Sequence, residues 1–156
     1  MINIGAKVVH NPEGVCLINE MVKIQDNMYD KKEYYKLIPV QNQTVAVYIP
    51  VKTAGTHVRK LRSKKEIQSI LESCQEINLH WDQNEQRRIT KRQKAMQEDD
   101  GPTLAKLIKI YHNRKKVTHM PVKDCNWLKQ AEQFLGSEVA EVLHIEFQEA
   151  LMKIIE

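Results

Sequence analysis

Apolar residues follow two different periods along the chain, and the change falls near residue 60. Before it, Lys7-Val8-Val9-His10, Val15 to Ile24, Glu33 to Val40 and Thr44 to Pro50 are short runs rich in valine, isoleucine and tyrosine. Such runs, bounded by turn residues, predict strands. Asn11-Pro12-Glu13-Gly14 and Gln25-Asp26-Asn27 are turn signals, and Gln41-Asn42-Gln43 is expected to join the last two runs as a strand pair. Pro50 should end the last of them, because proline has no N–H to give a ladder. Four or five short strands in so few residues fit a small SH3-like or Tudor-like barrel. Its usable surface is a strand edge, and Thr44 to Ile49, including Thr44, Ala46 and Tyr48, is the edge expected to accept a strand from a partner.

Beyond residue 60 the spacing becomes helical. Ser63-Lys64-Lys65-Glu66 is a capping box, followed by Ile67, Ile70, Leu71 and Cys74 on one face. Asp82 and Glu85 read as a second capping box, which predicts a helix beginning just after Trp81. Glu98-Asp99-Asp100-Gly101-Pro102 interrupts the pattern, and Thr103 is expected to cap a helix with the stripe Leu104, Leu107, Ile108 and Tyr111. Pro121 is expected to start another, with Trp127, Leu128, Ala131, Phe134 and Leu135 inward. A last amphipathic segment runs from about Ile145 to Ile155. The expected fold class is α+β, with a β-barrel domain over residues 1–62 and an all-α domain over 63–156.

Charge changes this picture more than composition does. The net charge is +4. Residues 1–56 carry six Lys/Arg against five Asp/Glu, residues 57–123 sixteen against eight, and residues 124–156 two against seven. A basic middle beside an acidic tail points to an anionic partner met by one region only. The densest basic run is Arg87-Arg88-Ile89-Thr90-Lys91-Arg92-Gln93-Lys94, directly after Trp81. On a helical wheel Arg88 and Arg92 fall under Trp81, with Arg87, Lys91 and Lys94 to one side. Ile89 and Met96 form only a thin apolar seam, which predicts a surface helix with an aromatic at its mouth. That combination suits a nucleic-acid backbone with a ring against its bases. The plainer alternative is that Trp81 staples the core and the charges are a solvated face. Arg114-Lys115-Lys116 likewise either complement a helix dipole or meet phosphates.

Other chemistries find little support. Cys16, Cys74 and Cys125 are odd in number and widely spaced, which argues against disulfides and a zinc site. The histidines are scattered, and there is no nucleophile–base pair, phosphate loop or metal set, so an enzyme is not expected. No cofactor or small-molecule ligand is expected. No apolar run approaches the roughly 20 residues of a membrane helix, and the amino terminus lacks signal-peptide features, so a cytoplasmic location is expected.

Ile4-Gly5-Ala6-Lys7-Val8-Val9, Gly14-Val15, Glu33-Tyr34-Tyr35, Val47-Tyr48-Ile49-Pro50 and Val58-Arg59 resemble the amino-terminal RNA-polymerase-interacting domain of the CarD/CdnL regulators. The transcription-repair coupling factor has the same domain type, but continues into helicase motifs that are not found here. Trp81, Leu104-Ala105-Lys106-Leu107-Ile108, Arg114-Lys115-Lys116 and the helix through Phe134-Leu135 follow in the order of the CarD carboxy-terminal domain. The resemblance covers nearly the whole chain and implies a bacterial, non-enzymatic transcription regulator. It implies docking on the RNA polymerase β subunit through strand pairing at the barrel edge. It also implies contact with promoter DNA at the upstream edge of the bubble, weak and largely non-sequence-specific, where a tryptophan matching Trp81 wedges into the minor groove and slows bubble collapse. Trp81, Arg87, Arg88, Lys91, Arg92, Lys115 and Lys116 are then the expected DNA contacts. The cations fall later than in the family pattern, behind Gln83, Asn84 and Gln86, and Tyr48 stands where some relatives carry arginine. The rival expectation is an adaptor that docks on polymerase without touching DNA. Reversing the charges of Arg88 and Arg92 is the expected way to separate the two.

Overall fold

In the computed structural model, which describes residues 2–25, 31–76 and 78–156, the strand runs near the amino terminus form one antiparallel sheet. Its strands are β1 (Lys7–His10), β2 (Gly14–Gln25), β3 (Lys31–Pro39), β4 (Val47–Pro50) and β5 (Val58–Arg59), in the order β4-β3-β2-β1-β5. Asn11 to Glu13 makes the expected tight turn between β1 and β2, with Val8 opposite Cys16 and Val9 opposite Val15. The register of β2 against β3 shifts between Ile18 and Glu20, so the long strand carries an irregularity. Asp26 and Asn27 of the turn expected after β2 lie outside the described residues.

One face of β1 to β4 supplies the core: Val8, Cys16, Ile18, Tyr35, Leu37 and Ile49 are buried together with Ala54. Ala54 belongs to a single helical turn, α1 (Ala54–His57), which follows a 3₁₀ turn at Val51–Thr53. Ile2, Ala6, Val47, Val51 and Val58 pack around this cluster, and among the described residues the β4 and β5 edges are not paired with each other.

The β3–β4 connection differs from expectation. Register pairs Tyr34 with Pro50 and Leu37 with Val47, which leaves residues 40–46 as a loop. The Thr44 hydroxyl donates to Asn42 Oδ1 at 2.7 Å, and the Val45 N–H to the Asn42 carbonyl at 3.2 Å. These local bonds satisfy the polar residues in a turn and withdraw Thr44 and Ala46 from the strand. Tyr48 remains in β4, an edge strand paired only with β3, and is 46% exposed.

The remaining elements are helices: α2 (Lys64–Ser73), α3 (Glu85–Gln97), α4 (Gly101–Val117), α5 (Val122–Leu143) and α6 (Phe147–Ile155). The chain divides into two compact units, Met1–Leu61 and Arg62–Glu156. Arg62 is held in the helical unit: its N–H and Nη1 donate to the two oxygens of Glu138 at 2.7 and 2.6 Å, and Nη2 donates to the Asp99 carbonyl at 2.8 Å. Glu138 is fully buried, so this pairing answers a charge that would otherwise be costly there.

Ser63 and Glu66 form the expected capping box, and Ile67, Ile70 and Cys74 are buried behind it. Two other caps differ. Helix α3 begins at Glu85, not after Trp81, because Asn84 is its N-cap and accepts from the Arg87 N–H at 2.9 Å. Helix α4 begins at Gly101, capped by Asp100, and Thr103 is a donor to that cap. Gly101 has a steric reason: a Cβ there would stand 2.5 Å from Ile70 Cδ1. Leu104, Leu107, Ile108 and Tyr111 are buried as expected, as are Trp127, Leu128, Ala131, Phe134 and Leu135 of α5. The outer face of α6 is mixed, with exposed Glu149 balanced by exposed Lys153, and is not the acidic face expected of the last segment.

Candidate nucleic-acid interface

Trp81 lies on the segment that leads into α3, one turn ahead of the helix, and is half-buried. Its ring meets Tyr111 edge-on, with centroids 4.9 Å apart, and Tyr111 continues to Trp127 at 4.8 Å. Two guanidiniums approach the same indole: the Arg88 Cζ lies 4.3 Å from the ring centroid and the Arg114 Cζ 5.3 Å. Both distances suit cation–π attraction. Trp81 is therefore neither a core residue like Trp127, which is 9% exposed, nor a loose surface ring. Trp81 also lines a cleft of about 660 Å³ shared with Leu79, Leu107, Ile110, Lys91 and Lys106.

The arginines expected to reach phosphates divide into inward and outward groups. Arg92 is 7% exposed and donates through Nη1 to Asp124, in a short contact, and to the Tyr111 hydroxyl at 3.4 Å. Arg88 is nearly as buried; its Nη2 lies 3.6 Å from the other Asp124 oxygen, and its Nη1 donates to the carbonyls of Asp82 and Gln83 at 3.0 and 3.3 Å. The expectation that Arg88 and Arg92 face solvent is corrected: the wheel placed them rightly on one line, but that line faces α5. Burial opposes the charge on Arg92, yet the bonds to Tyr111 and Asp124 outweigh it and raise its pKa.

Arg87 is exposed, and a bidentate pair at 2.9 and 3.0 Å ties it to Asp82. The Arg87 bonds, helped by the Asn84 N–H, hold the Asp82 carboxyl down at about 2. Lys91, Lys115 and Lys116 are exposed, and among the described residues none of them enters an ion pair. Lys115 is close enough to Glu132 to offset part of the rise in pKa that burial gives that carboxyl. Of the expected DNA contacts, these three lysines are the ones still able to meet an outside anion.

Sequence reasoning missed Asp124 and Tyr111 as parts of this site, and read Arg114 as a helix-end or phosphate cation without placing it at Trp81. Tyr111 was legible only as a core stripe residue, and Asp124 carried no local signal because its partners lie 32 and more residues away. The arrangement holds no group of metal-binding side chains among the described residues. Among the described residues no helix is long and apolar enough to cross a membrane. What the site offers chemically is a supported indole edge beside exposed lysines.

Residues 2–62 match the CarD-like/TRCF RID domain and residues 66–155 match the CarD C-terminal domain. Comparison with curated proteins gives no match. A β unit of the first kind followed by a helical unit of the second defines a two-domain transcription regulator that associates with RNA polymerase. The carboxy-terminal match alone spans more than half of the chain, and the protein belongs to the CarD family, a family of non-enzymatic transcription factors.

Proposed function

We propose that this regulator docks on the RNA polymerase β subunit through the edge of β4 and contacts promoter DNA at the upstream edge of the bubble with Trp81, thereby setting the lifetime of the open complex. The observation that carries the reading is the half-exposed Trp81, braced from behind by Tyr111 and flanked by Arg88 and Arg114. A ring supported in this way can press its free edge between base steps, where apolar or aromatic wedges unstack a duplex. Lys91, Lys115 and Lys116 supply sequence-independent attraction to phosphates. Tyr48, exposed on the edge strand, gives side-chain specificity to main-chain pairing.

A photo-crosslinking residue at position 81, in a complete polymerase–promoter complex, tests this. Crosslinks to DNA at the upstream bubble edge are expected; crosslinks to polymerase alone would contradict it. The adaptor reading draws on one observation, that Arg87, Arg88 and Arg92 are already engaged within the chain. Charge reversal at Arg88 and Arg92 would damage the fold, so Lys91→Glu, Lys115→Glu and Lys116→Glu together are the discriminating change. An adaptor tolerates them.

A further inference from the structure

We infer that Arg88, anchored by Asp124, is a positioning residue that presets the orientation of Trp81, so that the indole meets its target already held in place. Arg88 touches both the Trp81 ring and the backbone that follows it. Its guanidinium packs 4.3 Å from the indole centroid. Its Nη1 also bridges the Asp82 and Gln83 carbonyls, the two residues that follow Trp81 in the chain. One planar group thus grips both the side chain and the backbone of the segment that carries it, a geometry suited to arginine and not to lysine.

The grip needs a fixed base, and Asp124 provides it. Asp124 is 3% exposed at the start of α5, with one oxygen toward Arg88 and the other bonded to Arg92. Arg92 answers most of the charge of that carboxylate, so Arg88 is oriented by Asp124 without being its sole partner. A second fastening lies on the outer side, where Asp82 pairs with Arg87 and accepts from the Asn84 N–H at 2.9 Å. The residues after Trp81 are therefore tied to α3 through Arg87 and to α5 through Arg88 and Asp124. A ring immobilised before binding has no rotamer freedom left to lose when it binds, which is how preorganisation favours association. The role in DNA contact rests on the reading of Trp81 given above, whereas the role in holding Trp81 does not.

Fluorine NMR of the full chain labelled with fluorotryptophan reads the two indoles separately, since the chain has two tryptophans, and Trp81→Phe assigns them. In Arg88→Leu the Trp81 resonance is expected to move toward the solvent-exposed position and to narrow, while the Trp127 resonance stays put. Arg88→Lys, which keeps the charge, should give the same shift, because an ammonium cannot stack flat and bridge both carbonyls; it is also the variant to read if Arg88→Leu fails to fold. A Trp81 resonance unmoved in a folded Arg88 variant overturns the inference. With polymerase and promoter, Arg88→Leu should shorten the open complex several-fold in the same direction as Trp81→Ala. If the resonance moves as expected but Trp81→Ala leaves that lifetime unchanged, the DNA reading fails and the positioning role stands.

Discussion

Arg92 and Asp124 form a buried ion pair across the helical unit, with the Tyr111 hydroxyl against the same guanidinium. Asp124 is therefore answered mainly from α3, a helix that buries only Arg92 and Ala95 of its own residues. Removing one partner of such a pair leaves a buried charge and typically costs about 3–5 kcal/mol. Arg92→Leu should lower the melting temperature of the helical unit sharply, and Arg92→Glu should lower it further. Arg92→Met with Asp124→Leu should recover only part of the loss: apolar replacement of a buried pair is often neutral, but Arg88 also loses its carboxylate. Thermal unfolding by circular dichroism distinguishes these; an Arg92→Leu melt like the parent's would contradict the pair's role.

The two tryptophans should separate in the same experiment. Trp127 is packed on a full apolar stripe, and Trp→Ala in a core costs about 3–5 kcal/mol. Trp81 keeps part of its ring in solvent, and its aromatic pairing with Tyr111 is worth about 1 kcal/mol. Trp127→Ala should thus destabilise the chain much more than Trp81→Ala does.

How much of this was readable from sequence depends on how local the cause is. The Ser63–Glu66 capping box and the α4 and α5 stripes each depend on neighbours a few positions away, and they stand where periodicity puts them, whereas in β2 the loose alternation of Val15, Leu17 and Met21 misplaced the core face, which carries Cys16 and Ile18 and leaves Met21 exposed. Trp81 was legible as an aromatic ahead of a weakly greasy helix, although the Asn84 cap starts that helix at Glu85. The roles of Arg88 and Arg92 were not, because a charged face looks the same on a wheel whether it meets water or a buried Asp124 from another helix. Thr44 and Ala46 were misplaced for a similar reason: the Asn42–Thr44 bond competes with the ladder and leaves no trace in the alternation.

Docking should depend on the exposed edge of β4. Tyr48→Glu places a charge where an added strand would lie, next to main-chain bonds. Polymerase affinity is expected to fall about tenfold, roughly 1.4 kcal/mol, with the melting curve unchanged. Binding measured by interferometry checks this, and full affinity in the folded variant would move the interface away from β4.

DNA affinity of the isolated protein should be weak and steeply salt-dependent. If Lys91, Lys115 and Lys116 each neutralise one phosphate, log K should fall against log[salt] with a slope of about −3, at roughly −0.9 per contact on duplex DNA. Each Lys→Gln change should reduce the slope by about one. A flat salt titration is incompatible with this account.

Alkaline pH should weaken the β unit. Burial, with a smaller contribution from Glu13, pushes the Cys16 thiol up to about 12. Above the ordinary thiol value of 9.0 the unfolded chain releases this proton while the folded chain keeps it. The stability it contributes is therefore complete below that value and is lost as pH rises toward 12. Denaturant midpoints of Cys16→Ala should lose this part of the pH dependence, and an unchanged alkaline slope would count against it.

The lifetime of the polymerase–promoter open complex with Trp81→Ala is the most direct measurement. Heparin-challenged dissociation, with the parent chain and the variant each at saturating occupancy on polymerase, gives the comparison at equal docking. The account predicts that the variant folds, binds polymerase as tightly as the parent and loses most of the parent's effect on the dissociation rate. A variant that folds and binds equally yet alters open-complex lifetime as fully as the parent would contradict it.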